Sequence, residues 1–515
     1  MLVSPETPTS SQANSREPAG GLSRAPGEVE GGTYDFLIIG AGVVGCSIAR
    51  ELAKFKGNCL VVEKGDDVAS GISKANSGVL HAGFYVPPNT LKAKLNVQGH
   101  AQFKRLSEEL GFEVRAVEKL VIGMNEEEQK HLQELYETGQ KNGVPGLRLI
   151  GRKEIADLEP NVNGEFALHS PLSAIIEPYQ FTIALAENAS RNGVQFVFDS
   201  AVVGIDRPDK RFRVRTSAGS TFFARWVVNS AGVHSDDVSR LVADTPHTVY
   251  PVRGEYYITE KVAGLFQRMI YPVPPAHGSG LGVHFTPTIE NNVLIGPSAQ
   301  YIDDKEDTSN TAATMRTLKA EIHKYIPKLA NVDLIRNFSG IRPKLVSRTG
   351  GPRFADFVIE ENPAVDHFID LIGIESPGLT AAPAIARMVV EIIGGREDLT
   401  EDSDFCPHRE SPKRFALMSP EDQARAIAEN EEHGVVVCRC ETVTQAEVIR
   451  AIENPLGVRS LDAVKRRCRS MMGRCQGGFC EPRIAELLID RYGMKPTDIR
   501  RNVPGSYVFT GLVKD

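Results

Sequence analysis

Four cysteines near the C-terminal end carry the most distinctive chemistry of this chain. Cys438 and Cys440 lie in Val437-Cys438-Arg439-Cys440-Glu441, and Cys475 and Cys480 in Gly473-Arg474-Cys475-Gln476-Gly477-Gly478-Phe479-Cys480. The 34 residues from Glu441 to Arg474 separate the pairs, so two short chelating loops are joined by a helical segment. Thiolates are soft ligands, and four together select zinc or an iron–sulfur cluster. A zinc ribbon favours knuckles with two to four intervening residues, for which Cys-x-Cys is tight. Cys468 fits neither loop and reads as a spare thiol; Cys406 has no assigned role.

A second chemical element stands at the other end. The apolar run Tyr34-Asp35-Phe36-Leu37-Ile38-Ile39 suits a buried parallel strand. It leads into Gly40-Ala41-Gly42-Val43-Val44-Gly45, then into Cys46, Ala49, Leu52 and Ala53 at helical spacing. A further strand, Leu60-Val61-Val62, ends in Glu63, 18 residues beyond Gly45. Strand, GxGxxG, helix and acid in that order mark a dinucleotide site. Gly40 permits the turn, Gly42 lets the backbone approach a pyrophosphate, and Gly45 lets helix and strand pack closely. The helix N-terminus, at Val43, offers N–H groups to phosphates. Glu63 accepts from a ribose and disfavours a 2′-phosphate. No second fingerprint follows, since Gly278-Ser279-Gly280-Leu281-Gly282 precedes no helical pattern and reads as loop. A single site in a long chain favours a tightly held flavin over NAD.

The elements that must position these groups fit a chain of 515 residues, enough for two or three domains. Net charge is −7, which argues against a general nucleic-acid binder. Six of the eight cysteines fall after position 400, which reads as metal chemistry in a reducing compartment rather than a disulfide framework. Residues 1–33, rich in Ser, Pro, Gly and Glu, are expected to be a disordered tail that is neither signal nor transit peptide. No run reaches the ~18–20 apolar residues that span a bilayer. The expectation is a cytoplasmic protein, with attachment to the inner face of a membrane through a partner, and homo-oligomerisation, left open.

Further motifs carry a family resemblance. Ser73-Lys74-Ala75-Asn76-Ser77-Gly78-Val79-Leu80-His81-Ala82-Gly83-Phe84, Asn229-Ser230-Ala231-Gly232-Val233-His234, Arg253-Gly254-Glu255-Tyr256-Tyr257, Gly340-Ile341-Arg342-Pro343 and Gly373-Ile374-Glu375-Ser376-Pro377-Gly378-Leu379-Thr380 occur in order. Together they resemble the FAD-dependent glycerol-3-phosphate and L-2-hydroxyglutarate dehydrogenases, of the D-amino-acid-oxidase-like flavoprotein superfamily. The resemblance covers about residues 34 to 395. The cysteine tail is similar to the bacterioferritin-associated-ferredoxin-like [2Fe-2S] domain, which favours the cluster over zinc. The fold implied is α/β: a Rossmann-like FAD-binding domain with an inserted, mainly antiparallel β substrate domain, plus a small α-helical iron–sulfur domain. Expected boundaries are 34–400 for the oxidoreductase, 401–434 for a linker, 435–486 for the [2Fe-2S] domain and 487–515 for a tail packing back on the body.

The resemblance implies roles residue by residue. His81 would be the base removing the hydroxyl proton, as suits an imidazole near neutrality. Arg342 would orient an anionic group through its guanidinium fork. Arg253, His284 and Lys344 are further substrate-side candidates, with Arg253 equally suited to a buried ion pair and Lys344 to solvent. Besides the glycine turn, Lys64, Ser73, Asn76, Ser77, Val202, Ala231, Gly232, Gly378, Leu379 and Thr380 would hold FAD. The pattern Leu379–Ile393 predicts a helix, with Pro383 in its first turn and its positive end at the flavin. The run Lys465 to Arg474 is strongly basic: cations beside an anionic cluster would ease its reduction, and the plainer alternative is a solvated helix face.

The activity so implied is oxidation of the secondary alcohol of a small anionic substrate, with electrons passed through [2Fe-2S] to a partner subunit or quinone. Glycerol 3-phosphate is the leading substrate. Ile270-Tyr271-Pro272-Val273-Pro274 and Gly282-Val283-His284-Phe285 look more like the L-2-hydroxyglutarate branch, and an amine or opine is a third option.

Overall fold

The computed structural model describes residues 31–262, 264–274, 282–347, 354–411 and 413–511. Residues 1–30 of the expected tail, and Gly278 to Leu281, lie outside the described residues.

The first apolar run forms the strand Thr33–Ile39, and Leu37 and Ile38 are wholly buried. It pairs in parallel with Cys59–Val62 on one side and Thr221–Asn229 on the other. Gln195–Val197 and Phe368–Ile372 extend the parallel order outward. Such strands are apolar throughout because both faces are covered. On one face the helices Val43–Leu52, Pro178–Arg191 and Gly378–Gly394 pack together over Ile38, Val61 and Trp226. On the other, Leu37, Leu60 and Val227 meet Phe212, Phe222 and Val238.

The substrate-side sheet has nine strands and is antiparallel except where Met269–Pro272 runs parallel to Lys119–Gly123. Tyr250–Thr259 pairs with Leu334–Lys344 along nearly its whole length, with Gly254 opposite Gly340 and Tyr256 opposite Phe338. A strand rises about 3.3 Å per residue, so Arg336 and Arg342 lie about 20 Å apart along it. One end of this pair borders the cavity described below, and the other touches the cysteine module.

The helix Gly378–Gly394 begins one residue before the predicted span, and Pro383 sits in its second turn rather than its first. The helix Leu91–His100 approaches it at Gly99, where a Cβ would lie 2.0 Å from the Thr380 carbonyl oxygen. That contact fixes the start of the longer helix against the body.

The stretch after residue 400 is bound to the body. Asn188 and Asn192 donate to the Cys406 carbonyl, and Arg409 pairs with Glu187 at 2.8 Å. The cysteine module combines a two-stranded ribbon, Val436–Cys438 with Val443–Thr444, and the helices Gln445–Ile452, Leu461–Cys468 and Cys480–Asp490. Thr444 and Glu447 form a capping box at the first helix, and Val448, Leu461, Val464, Ile484 and Leu488 make a separate apolar core. Arg500 reaches Asp199 at 2.5 Å, tying the final segment to the parallel sheet's loops.

Candidate active site

One open cleft runs from the glycine turn to the substrate-side sheet. It brings together Gly42, Val43, Ser73, Asn76, Ser77, Gly232, Gly378 and Leu379 with His81, His284 and Arg342. These come from six separate stretches of chain, so only the fold joins them.

The glycines of the turn divide by cause. At Gly40, φ is +98°, and a Cβ would lie 2.7 Å from the Ser230 carbonyl oxygen; at Gly45 it would lie 2.0 Å from the Gly40 carbonyl oxygen. The protein's own backbone demands both. At Gly42 a Cβ would meet only the Ser73 hydroxyl, at 3.3 Å. Packing alone asks little there, and the bare backbone leaves the turn open to the cleft. Ser73 accepts from the Val43 N–H at 2.9 Å and so holds the loop against the helix start. Glu63 is buried and accepts from the N–H groups of Ala41 and Gly65, each at 2.7 Å; burial pushes its pKa up. Its carboxylate therefore orders the turn. Asn76 accepts from the Gly78 N–H at 2.9 Å, and Ser77 lies 3.2 Å from the Tyr256 hydroxyl.

His81 is held by its backbone. Its N–H donates to Thr380 Oγ1 at 3.0 Å, and its carbonyl accepts from Asn96 at 3.0 Å. Thr380 thus anchors the histidine segment and does not itself line the cleft. The imidazole faces the cleft, with Nε2 3.4 Å from Ser376 Oγ. Burial, and then the charges of Lys119 and His100, pull its pKa well below the ordinary imidazole value. At neutral pH the ring is a free base, the state a proton acceptor needs. Arg342 donates through Nη2 to the Ser298 carbonyl at 3.2 Å and makes no ion pair among the described residues.

Other expected residues sit elsewhere. Arg253 is turned away from the cleft: it binds Asp307 and Ser309, and its Nε is 3.5 Å from Glu255. It is an internal ion pair rather than a substrate ligand. Strand alternation explains this, since Gly254 and Tyr256 line the cleft and Arg253 and Glu255 share the opposite face. Lys344 is not solvated but lies 3.2 Å from Glu375, which also takes Lys92 at 2.9 Å. Burial pushes the Glu375 carboxyl up, but Lys92 and Lys344 outweigh it and hold the group below the usual range. Lys64 pairs with Glu306 and lies 3.0 Å from His234, and Val202 packs beside the apolar cluster of Tyr34 and Val62. Ala231 and Glu63 also stand outside the cleft's lining. Sequence reading missed Tyr256, Tyr271, Glu375 and Ser376 as lining groups. The period of two along Tyr250–Thr259 could have found the first.

The four thiols meet as two pairs, each drawing one cysteine from each loop. Cys440 and Cys475 are exposed, with their sulfurs 3.6 Å apart, while Cys438 and Cys480 are buried and hydrogen-bonded. Two pairs suit two irons, each taking two thiolates. The Cys480 contact lowers the Cys438 thiol, and backbone N–H groups of Glu441 and Met471 aid it. Cys468 bonds Val464 and Ser470 instead, and burial pushes its thiol up to about 11, so it stays protonated.

From Lys465 to Arg469 the basic run beside these loops has buried cationic side chains rather than a solvated face, while Arg474 is exposed. Arg467 binds Asp67 at 2.7 Å and Glu187 at 3.3 Å, and Arg466 lies 3.4 Å from Asp67. Ser460 binds the neighbouring Asp66, and Arg474 reaches Glu260 and Asp333, each at 2.8 Å. The run docks the cysteine module onto the loop that follows Glu63. Burial pushes Asp67 up, but Arg467 and then Arg466 outweigh it and hold the carboxyl low. Asp67→Ala would leave two buried guanidiniums short of a partner and is expected to cost about 3–5 kcal/mol of stability, read by thermal melting. Because the native pKa is depressed, this contribution is present above about pH 4 and is lost as pH falls through the native value.

The glycine turn, the histidine-lined cleft and the paired thiols define a flavin-dependent oxidoreductase with an iron–sulfur module. A family model for FAD-dependent oxidoreductases of the DAO type matches residues 35–392, and the chain belongs to that family. The model for the BFD-like [2Fe-2S] binding domain matches residues 436–490. Glycerol 3-phosphate dehydrogenase of Caloramator mitchellensis is 38% identical over 93% of this chain and 99% of its own length. The mitochondrial L-2-hydroxyglutarate dehydrogenase of Arabidopsis thaliana is 32% identical over 69% of this chain and 82% of its own. The FAD-bound L-alpha-glycerophosphate oxidase structure from Mycoplasma pneumoniae superposes with a TM-score of 0.68 at 30% identity, covering 74% of this chain and all of that one. The protein is a FAD-dependent dehydrogenase or oxidase of glycerol-3-phosphate or 2-hydroxyglutarate type, with FAD and [2Fe-2S] as cofactors. No helix among the described residues is long and apolar enough to cross a membrane.

Proposed function

We propose that this protein oxidises the secondary alcohol of glycerol 3-phosphate to dihydroxyacetone phosphate and passes the electrons through the [2Fe-2S] module to a partner or quinone. The observation that supports this reading is a cleft whose described lining includes the His81 imidazole and a single guanidinium, Arg342, without an ion pair. Glycerol 3-phosphate has one anionic end, which Arg342 suits as a fork. A hydroxyglutarate has two carboxylates and asks for a second cation facing the substrate, whereas the neighbouring Lys92 and Lys344 both point their ammoniums at Glu375 and neither lines the cleft. The full-length likeness to the Caloramator enzyme, which extends through the cysteine tail, points the same way.

In this reading Arg342 holds the phosphate and sets the carbinol carbon in the cleft. His81, neutral at pH 7, accepts the hydroxyl proton. FAD, when bound, takes the two electrons that leave with the C–H bond. The positive end of the helix Gly378–Gly394 favours negative charge near its first residues.

Arg342→Met is expected to raise KM for glycerol 3-phosphate about 10–100-fold, since a hydrogen bond to a charged group contributes about 1.5–3 kcal/mol. Anaerobic mixing with glycerol 3-phosphate, and separately with L-2-hydroxyglutarate, tests the substrate by bleaching of the visible flavin band. Bleaching by the hydroxy acid alone would move the protein to the other branch. Bleaching by neither, but by an amino compound, would end both alcohol readings. FAD that no small substrate reduces would mean a binding subunit.

A further inference from the structure

Lys119 opens the strand Lys119–Gly123, is wholly buried, and its ammonium has no hydrogen-bond partner. Aromatic rings enclose it instead: the Tyr271 centroid at 4.0 Å, Tyr85 at 5.3 Å and Phe84 at 5.7 Å. Tyr271 also stacks on His284, with centroids 3.5 Å apart and 14° between planes. Two groups so close to one centroid occupy opposite faces, so Lys119 lies behind the ring and His284 in front. Tyr85 meets the His81 ring edge-on at 6.5 Å. By way of Tyr85, the ammonium is no more than about 12 Å from that imidazole. Tyr271, His284 and His81 all line the cleft.

A buried cation without a hydrogen bond disfavours folding, and a methionine would fill an aromatic cage without that cost. Groups kept in such a state concentrate at functional sites. We infer that Lys119 is a positioning residue of the active site: its caged cation seats the Tyr271–His284 wall and supplies positive potential that keeps His81 unprotonated and draws an anionic substrate.

Other groups around the cage leave this charge unanswered among the described residues. The neighbouring Glu118 is occupied by Arg268 at 2.6 Å and His169 at 2.9 Å. The cross-strand partners are the uncharged Ser170 and Met269, and the helix Glu126–Lys141 contributes the apolar Leu132 and Leu135 to this core. Tyr85 and Tyr271 both have pKa values raised by burial and stay neutral. Burial lowers the Lys119 pKa to about 7. The lysine is therefore charged at the acid pH where His81 would otherwise take up a proton, and it loses its charge above about pH 7.

The kinetic part of this role rests on His81 as the base; the stability part stands without it. The acid limb of flavin reduction is expected to move up by about one pH unit in Lys119→Met and to return in Lys119→Arg. KM for the anionic substrate should rise in the native protein as pH passes through about 7, and stay flat in Lys119→Arg, whose charge persists. In melting experiments with the FAD-loaded protein, native Tm should rise between about pH 7 and 10, where the unfolded lysine alone holds its proton. Lys119→Met should be flat there and more stable than the native protein at pH 6. An acid limb unmoved in FAD-replete Lys119→Met overturns the kinetic role. A Lys119→Met protein that melts below the native one at pH 6 makes the lysine structural. If that variant fails to hold FAD, a KM that still rises through pH 7 in Lys119→Arg refutes the assignment. Lack of bleaching by glycerol 3-phosphate would instead sink the substrate reading and leave the melting comparison intact.

Discussion

His81→Asn is expected to slow reduction of bound FAD by substrate roughly 10²–10⁴-fold, the range that a positioned general base contributes. Stopped-flow bleaching at saturating substrate reads this directly. FAD content should not change, because the segment is held through backbone groups by Thr380 and Asn96. In the native protein the acid limb should fall below the ordinary imidazole value, as burial and then Lys119 and His100 depress the His81 pKa. Activity is present where the ring is neutral and is lost as pH falls through that lowered value. An asparagine variant that reduces FAD at the native rate would remove His81 as the base and leave it a wall of the cleft.

Cys440→Ser or Cys475→Ser should abolish the cluster while sparing the flavin half-reaction. Each sulfur belongs to the exposed pair, 3.6 Å apart, so losing one leaves an iron with a single protein thiolate on that side. Iron and sulfide analysis of anaerobically purified protein should drop from a full cluster to near none. Substrate should still bleach FAD, because none of the described residues lining the cleft comes from the cysteine module. Cys468→Ser should keep its iron, since that thiol bonds within its own helix and stays protonated. Full iron in either ligand variant, or zinc in place of iron in the native protein, would refute the two-pair reading. Turnover with the physiological acceptor should fail in the ligand variants if the cluster is the exit for electrons.

Much of the site could be read along the chain where function depends on neighbours in sequence. The turn Gly40 to Gly45 is such a case, because its glycines answer to a local backbone path and its acid lies at the end of the next strand. The thiols are another, since each loop brings two cysteines within a few residues. Arg253 shows the limit. Its motif carried the family likeness, but which face of Tyr250–Thr259 looks into the cleft depends on the partner strand and the packing behind it. The basic run Lys465 to Arg474 was equally open, because a row of arginines reads as a solvated surface until Asp67, Glu187 and Asp333 are brought opposite.

By itself the sequence determined that this protein binds a dinucleotide through a strand–turn–helix unit, carries four clustered thiols and belongs with FAD-dependent oxidoreductases. The turn and the thiols are short-range, and local spacing is enough to specify them; the flavoprotein family rests on the resemblance carried by the ordered motifs. Only the tertiary structure decided that His81, Arg342 and His284 share one cleft, that Lys92 and Lys344 share the single carboxylate of Glu375, and that a buried lysine stands behind the Tyr271–His284 wall. Charge and protonation depend on burial and on distances between residues far apart in the chain, and those quantities exist only once the chain is packed.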